Sequence, residues 1–225
     1  MKTLAVFDMA GTTIDDGDHV YRVLRESVER EGAVFTDAEF QQWMGTEKKW
    51  AIRNLFEIGG VPADDTLVER TFGWFLGELA TAYREDPPVP LPGVEDALQR
   101  LRSAGTKVAL TTGFSRQIAD LILGQLGWGT EGEEDLLLDA VVCGDEVSAG
   151  RPAPDLIFAV MEKTGVTDPE SVISVGDTVV DVESAKAAGV TSAGVLTGHL
   201  TGADFETAGA DLVLGSVADL ALETV

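Results

Sequence analysis

Apolar residues fall along this chain in short runs, at 4–7, 108–110, 140–143, 172–175, 193–196 and 212–214, bounded mostly by Gly, Asp or Thr. Runs of this length without polar alternation predict strands buried on both faces, as in a parallel sheet. Between them lie helical spacings over 94–103, 115–126, 155–163 and 179–188, with Gly105, Gly127, Gly165 and Gly189 just beyond the ends. Glycine in that place is the expected helix stop. The alternation predicts an α/β fold, a doubly wound, mostly parallel Rossmann-like sheet with its functional residues at the carboxyl ends of the strands.

From about residue 18 to 85 the alternation fails and the pattern is helical throughout. Val20, Val23, Leu24 and Val28 mark one apolar face, Thr36 with Glu39 has capping-box spacing, and 67–83 reads as a long helix. The stretch Pro87-Pro88-Val89-Pro90-Leu91-Pro92-Gly93 that follows predicts a stiff extended connector suited to a hinge. The chain therefore divides into a core, 1–16 with 86–225, and a small all-helical domain, 17–85, inserted after the first strand. The acidic stretch 131–135 reads as a solvated loop.

With 39 acidic against 16 basic residues, the 225-residue chain carries a net charge of −23. That acidity argues against nucleic acid and anionic membrane surfaces as partners, and no apolar run reaches membrane-spanning length. A small anionic substrate is still compatible, provided that local cations or a divalent metal gather at one place. Two histidines and one cysteine leave no zinc-site spacing; His19 and His199 read as structural or surface residues, and Cys143 as a buried small hydrophobe. A single cysteine, and only Met1-Lys2-Thr3 ahead of the first run, give the expectation of a cytoplasmic protein without a signal peptide.

Against this acidic background a few positions carry chemistry. The first strand delivers Asp8 into the small-residue turn Met9-Ala10-Gly11-Thr12-Thr13, where a carboxylate beside backbone N–H groups suits a phosphoryl group. Thr111-Thr112-Gly113 follows the second core strand, Gly150-Arg151-Pro152 sets one cation among acids, and Asp177 and Asp181 offer hard oxygen ligands after the fourth. Singly, each has a plainer reading: Asp8 as a turn residue or helix cap, the threonines as a turn, Arg151 as a surface base, Asp177 as a cap.

Together, in this order, the motifs resemble the haloacid dehalogenase superfamily across essentially the whole chain. The resemblance implies Asp8 as nucleophile, Thr112 as the second-motif hydroxyl, Arg151 in the place of the usual lysine, and Asp177 with Asp181 as the acidic metal motif. It implies Mg2+ held by Asp8, the Ala10 backbone carbonyl and Asp177 with Asp181 in support. Gly11, Thr12, Thr112, Gly113 and Arg151 would surround the phosphate, and the helical insertion would be a mobile cap.

Most members with these motifs carry an acid two residues after the nucleophile to protonate an alkoxide; here Ala10 stands there. The loss would cost ordinary ester hydrolysis roughly 10²–10⁴ in rate. Asp-x-Ala-Gly-Thr-Thr combined with Gly-Arg-Pro is similar to the phosphonoacetaldehyde hydrolase branch. That resemblance implies cleavage of a carbon–phosphorus bond with help from a cap lysine, because a protonated imine can absorb electrons that a bare carbanion cannot hold. The cap segment 18–85 has two lysines, Lys48 and Lys49, and the branch's Met-Gly-x-x-Lys spacing selects Lys48 for catalysis and substrate binding. Three positions depart from the branch: Ala51 replaces a histidine, Phe114 a tyrosine and Asp18 a cysteine.

The leading expectation is a Mg2+-dependent phosphonatase-like hydrolase acting on phosphonoacetaldehyde or a related 2-oxoalkylphosphonate. The alternatives are a phosphomonoesterase for a small organic or sugar phosphate, or a phosphoryl-ligand binding protein without turnover. The branch resemblance also implies that the protein could pair as a homodimer through the cap. Trp43, Trp50 and Trp74 are available for such a surface or for core packing.

Overall fold

The computed structural model describes residues 2–129 and 137–221. The acidic stretch 131–135, expected as a solvated loop, lies outside the described residues. The core is a six-stranded sheet of β1 (Leu4–Phe7), β4 (Lys107–Thr112), β5 (Ala140–Cys143), β6 (Val172–Gly176), β7 (Thr191–Val195) and β8 (Leu212–Leu214), in the order β5-β4-β1-β6-β7-β8. Every neighbouring pair is parallel. The continuous apolar runs have the cause expected of them. Ala5 and Phe7 face one buried cluster, which α5 (Val94–Ser103) and α6 (Arg116–Leu126) cover. Leu4 and Val6 face the other, under α7 (Asp155–Thr164) and α8 (Val179–Ala188). Helices on both faces leave the central strands no wet side, whereas the edge strand β8 is only partly covered.

The element ends obey local chemistry. Gly127, Gly165 and Gly189 close α6, α7 and α8 in left-handed conformation. Ser115, expected within α6, is instead its N-cap residue. Asp177 is not a helix cap either: Thr178 caps α8, and Asp181 reaches back to it in a capping box. The run expected at 193–196 begins at Thr191, and Leu196 lies beyond the strand, 44% exposed. A short helix, α9 (Gly202–Ala208), follows β7, where the apolar pattern predicts none.

After β1 the chain enters four helices, α1 (His19–Glu29), α2 (Asp37–Gln41), α3 (Lys48–Ile58) and α4 (Asp65–Glu85). Val20, Val23, Leu24 and Val28 are buried along α1, and the Thr36–Glu39 capping box forms at the start of α2. Trp43 and Trp50 meet edge to face at 5.0 Å, with Trp50 45% exposed, while Arg30 lies over Trp74. The connector expected as an extended strut is partnered: β2 (Ile14–Asp15) and β3 (Val89–Pro90) pair antiparallel, so both crossings between core and helices run through one ribbon. Asp16 ties this ribbon down, accepting from the Val20 amide at 3.0 Å and the Tyr83 hydroxyl at 2.8 Å. No helix of the described residues is long and apolar enough to cross a membrane.

Candidate active site

The carboxyl ends of the central strands bring the singled-out residues together. Asp8 follows β1 directly, its amide donating to the Val175 carbonyl of β6 at 2.9 Å, so the carboxylate leaves the sheet at the strand where chain direction switches sides. Asp177 follows β6, Thr112 ends β4, and Arg151 arrives on the loop between β5 and α7. All four are buried, Arg151 to 4% exposure.

Arg151 organises the cluster. Its Nη1–H donates to Asp8 Oδ1 at 2.6 Å, its Nη2–H to Thr111 Oγ1 at 2.8 Å, and its Nε lies 3.0 Å from Asp181 Oδ1. Burial works against the guanidinium charge, but the Asp181 and Asp8 carboxylates outweigh it and hold its pKa above the ordinary value. A planar fork can join two carboxylates and a hydroxyl in this way; a lysine ammonium could not hold the same three in one plane. Thr111, adjacent to the expected Thr112, fixes that fork, and spacing along the chain offers no means of choosing between the two hydroxyls. Thr112 Oγ1 accepts from the Phe114 amide at 3.1 Å, which leaves its own proton free to donate.

The structure revises one part of the turn after Asp8. Gly11 and Thr12 are expected to offer amides to phosphate, but Gly11 N–H donates to the Ile14 carbonyl at 2.9 Å and Thr12 N–H to the Met9 carbonyl at 3.2 Å. The Thr12 hydroxyl donates to Asp177 Oδ1 at 2.8 Å. A tight turn consumes these donors, so the two residues shape the loop and hold Asp177.

Asp8, Asp177 and Asp181 place carboxylate oxygens within 4.8 Å of one another. Burial, and then the neighbouring Asp8 and Asp181 charges, push the Asp177 pKa well above the carboxylate range. Burial also raises that of Asp181, with Arg151 opposing. Three buried acids around one guanidinium are short of positive charge, and this donor set of hard oxygens suits a divalent cation such as Mg2+. Gly11 and Gly198 let the Asp177 carboxylate lie against the backbone, since a Cβ on either would run into it. Ala10, whose carbonyl is expected to contribute, lines both a cavity of about 180 Å³ with Asp177 and Gly198 and the small cavity beside Asp8.

From the inserted helices comes Lys48, the first residue of α3. Glu47 caps that helix through the Lys49 and Trp50 amides, turning the Lys48 side chain inward, where Nζ donates to the Thr46 carbonyl at 2.7 Å. Lys48 is 4% exposed and lines a cavity of about 20 Å³ with Asp8, Ala10, Tyr21, Thr112 and Arg151. Burial lowers its pKa to about 8, with Asp8 and Glu47 pulling it up and Arg151 pressing it down. Lys49, one residue on, points away to an ion pair with Glu69 at 2.8 Å. The cap turn lies close against the core: a Cβ on Gly113 would approach the Thr46 carbonyl to 2.8 Å, and one on Gly45 would approach Thr178 Oγ1 to 2.6 Å.

The departures from the branch are visible as well. Ala51 is fully buried in α3, and Phe114 is 4% exposed and lines the small cavity. Asp18 has a left-handed φ of 58°, and its carboxylate meets the His199 ring at 3.0 Å. His199, read as a structural or surface residue, lies on the rim of the 180 Å³ cavity. Cys143 is buried, and burial pushes its thiol to about 12.

Comparison with known proteins agrees with this architecture. The family model for haloacid dehalogenase-like hydrolases matches residues 5–195. A Bacillus cereus protein named phosphonoacetaldehyde hydrolase is 32% identical over 213 residues, covering 88% of this chain and 77% of its own. A Bacteroides fragilis protein of the same name is 37% identical over 109 residues, 48% of this chain and 40% of its own. Among solved structures, a hydrolase from Pseudomonas syringae superposes with a TM-score of 0.82 at 24% identity, covering 97% of this chain and 96% of its own. A β-phosphoglucomutase from Clostridium difficile reaches 0.83 at 19% identity, over 99% and 95%. At those identities the structural likeness speaks for the fold alone.

Proposed function

The chain belongs to the haloacid dehalogenase-like hydrolase family, and from that membership we propose that it is a Mg2+-dependent phosphonatase-like hydrolase, cleaving the carbon–phosphorus bond of a 2-oxoalkylphosphonate. One observation carries this reading: a buried lysine of lowered pKa shares a cavity with the candidate nucleophile. The name of the Bacillus cereus relative supports it.

In this reading the core handles phosphorus and the cap handles carbon. The Lys48 amine adds to the substrate carbonyl, and loss of water leaves a protonated imine. Asp8 then attacks phosphorus; the C–P bond breaks, and its electron pair passes through the adjacent carbon into the imine, giving an enamine and an aspartyl-phosphate. Protonation at carbon and hydrolysis of the imine release the carbonyl product, and water releases phosphate from Asp8. Arg151, Thr112 and the Gly113 amide bind phosphoryl oxygens. Asp8, the Ala10 carbonyl and Asp177, with Asp181 behind them, would hold Mg2+, which when bound supplies positive charge against the phosphoryl oxygens. The missing acid at Ala10 then has a chemical reason, since no alkoxide departs. A cavity of about 20 Å³ admits about one water and no phosphonate. The cap therefore moves for substrate to enter, and the β2–β3 ribbon is the place for it to turn.

The test is borohydride reduction in the presence of phosphonoacetaldehyde and 2-oxopropylphosphonate, with peptide mapping of the adduct and a phosphate-release assay. The expected adduct maps to Lys48, Lys48→Ala abolishes C–P cleavage, and Asp8→Asn abolishes phosphate release. Phosphate-ester turnover that survives Lys48→Ala, with no lysine adduct in the unaltered protein, would establish a phosphomonoesterase instead. No turnover of either class would leave a binding protein.

A further inference from the structure

Beside Lys48 stands a hydroxyl that the reaction as written does not use. Tyr21, in the first turn of α1, lines both the small cavity with Asp8, Lys48 and Arg151 and the larger one with Asp177 and His199. Lys48 Nζ lies 6.0 Å from the centre of its ring. Phe40 and His199 meet the same ring edge to face at 6.5 and 6.2 Å, so the phenol is held in direction. A phenol keeps its proton at neutral pH, and burial pushes the Tyr21 pKa higher still; among the described residues no side-chain hydrogen bond engages its hydroxyl. The chain's second tyrosine is the contrast, because the buried Tyr83 hydroxyl is satisfied by Asp16 at 2.8 Å. A phenol inside a protein ordinarily finds a partner. Tyr21, half-buried and lining both cavities, brings a phenol beside Lys48 where the proposed substrate carbonyl must lie. Phe114 lines the small cavity and offers no hydrogen-bonding group there.

We propose that Tyr21 is the substrate-contacting hydroxyl of this site, donating a hydrogen bond to the carbonyl oxygen of the phosphonate whose carbonyl carbon Lys48 attacks. The inference rests on the imine reading above. As the amine nitrogen bonds to carbon, the C=O electron pair moves onto oxygen, and the Tyr21 O–H meets that developing charge. The proton that finally neutralises the oxygen comes from the attacking nitrogen, so Tyr21 keeps its own. Donor and nucleophile both belong to the inserted helices, so the carbonyl-handling pair travels with the cap and meets Asp8 and Arg151 only where the cap lies against the core.

The experiment compares the unaltered protein, Y21F and Y21F/F114Y in borohydride trapping rate and in phosphate release from 2-oxopropylphosphonate. Y21F should lower both by about 10²-fold, the scale of one lost donor to a developing oxyanion. Y21F/F114Y, which returns a hydroxyl to the lining of the same cavity, should recover about tenfold of that loss. A purely structural role would leave the double variant no better than Y21F, and that outcome overturns the proposal. So does a Y21F adduct forming at the rate of the unaltered protein, whether or not its thermal stability changes. If the unaltered protein itself gives no lysine adduct, the imine reading fails, and this inference falls with it.

Discussion

Lys48→Met should make this protein more stable while removing its proposed chemistry. Burial holds the Lys48 pKa at about 8 against 10.5 for a free side chain. A tenfold change in proton affinity is worth about 1.4 kcal/mol, so at pH 7 the folded chain carries a penalty of about 3 kcal/mol for keeping this ammonium inside. Methionine fills a similar volume without charge. It forfeits the hydrogen bond to the Thr46 carbonyl, worth about 1 kcal/mol. The net gain is about 2 kcal/mol, or about 4–8 °C in Tm for a chain of this size. The sign of the pH dependence follows from the lowered pKa. Between pH 8 and 10.5 the unfolded chain binds the proton that the folded one has released, so the unaltered protein gains stability as pH rises. The advantage of the variant therefore shrinks by about 1 kcal/mol from pH 7 to pH 9. Urea unfolding of both proteins at the two pH values measures this directly. A variant less stable than its parent at pH 7, or a gap that widens with pH, would refute the placement of a costly buried amine beside Asp8.

Arg151→Ala strands the Asp8 and Asp181 carboxylates without their common partner, and should cost about 3–5 kcal/mol in thermal unfolding; recovery of part of this loss on adding Mg2+ is the expected second result. Gly198→Ala sets a methyl against the Asp177 carboxylate. The Mg2+ concentration for half-maximal activity should rise about tenfold with little change in Tm, in proportion to a lost or displaced ligand. Turnover of a 2-oxoalkylphosphonate should climb with pH as Lys48 loses its proton near 8, whereas a profile already flat from pH 6 up would exclude the free amine as nucleophile.

The pattern of apolar runs reveals the sheet because strands covered on both faces must be apolar without interruption, and glycine marks the helix ends because a left-handed stop is expensive for other residues. The β2–β3 ribbon is illegible for the opposite reason. Two residues a side offer no periodicity, and a proline-rich segment reads as unpaired until its partner is seen across the helical insertion. At the site, Asp8, Thr112 and Asp177 are legible as strand-end residues, and Arg151 and Asp181 as the residues that follow their strands in the same order. What the order cannot carry is direction. Gly11 and Thr12 spend their amides inside the turn, Thr111 rather than Thr112 braces the guanidinium, and Lys48 and Lys49 diverge because Glu47 fixes the start of α3. Tyr21 has no signal, standing beside Val20 in a helix whose apolar stripe masks it.

The two cations of the site divide their work by chemistry as well as by position. Arg151 cannot give up its proton, so the charge it sets beside Asp8 is constant, and one consequence of that charge is to press the Lys48 pKa downward. With a lysine at that place, two ammoniums would titrate against each other beside one carboxylate, and the proton leaving the pair could come from either. A phosphatase that needs only positive charge loses nothing by that ambiguity. An imine-forming enzyme does, because the amine that must be free is the one in the cap. A permanent guanidinium on the core side removes the ambiguity, so under the proposed chemistry Gly150-Arg151-Pro152 and the buried Lys48 are a single adaptation, and the absent acid at Ala10 follows from it.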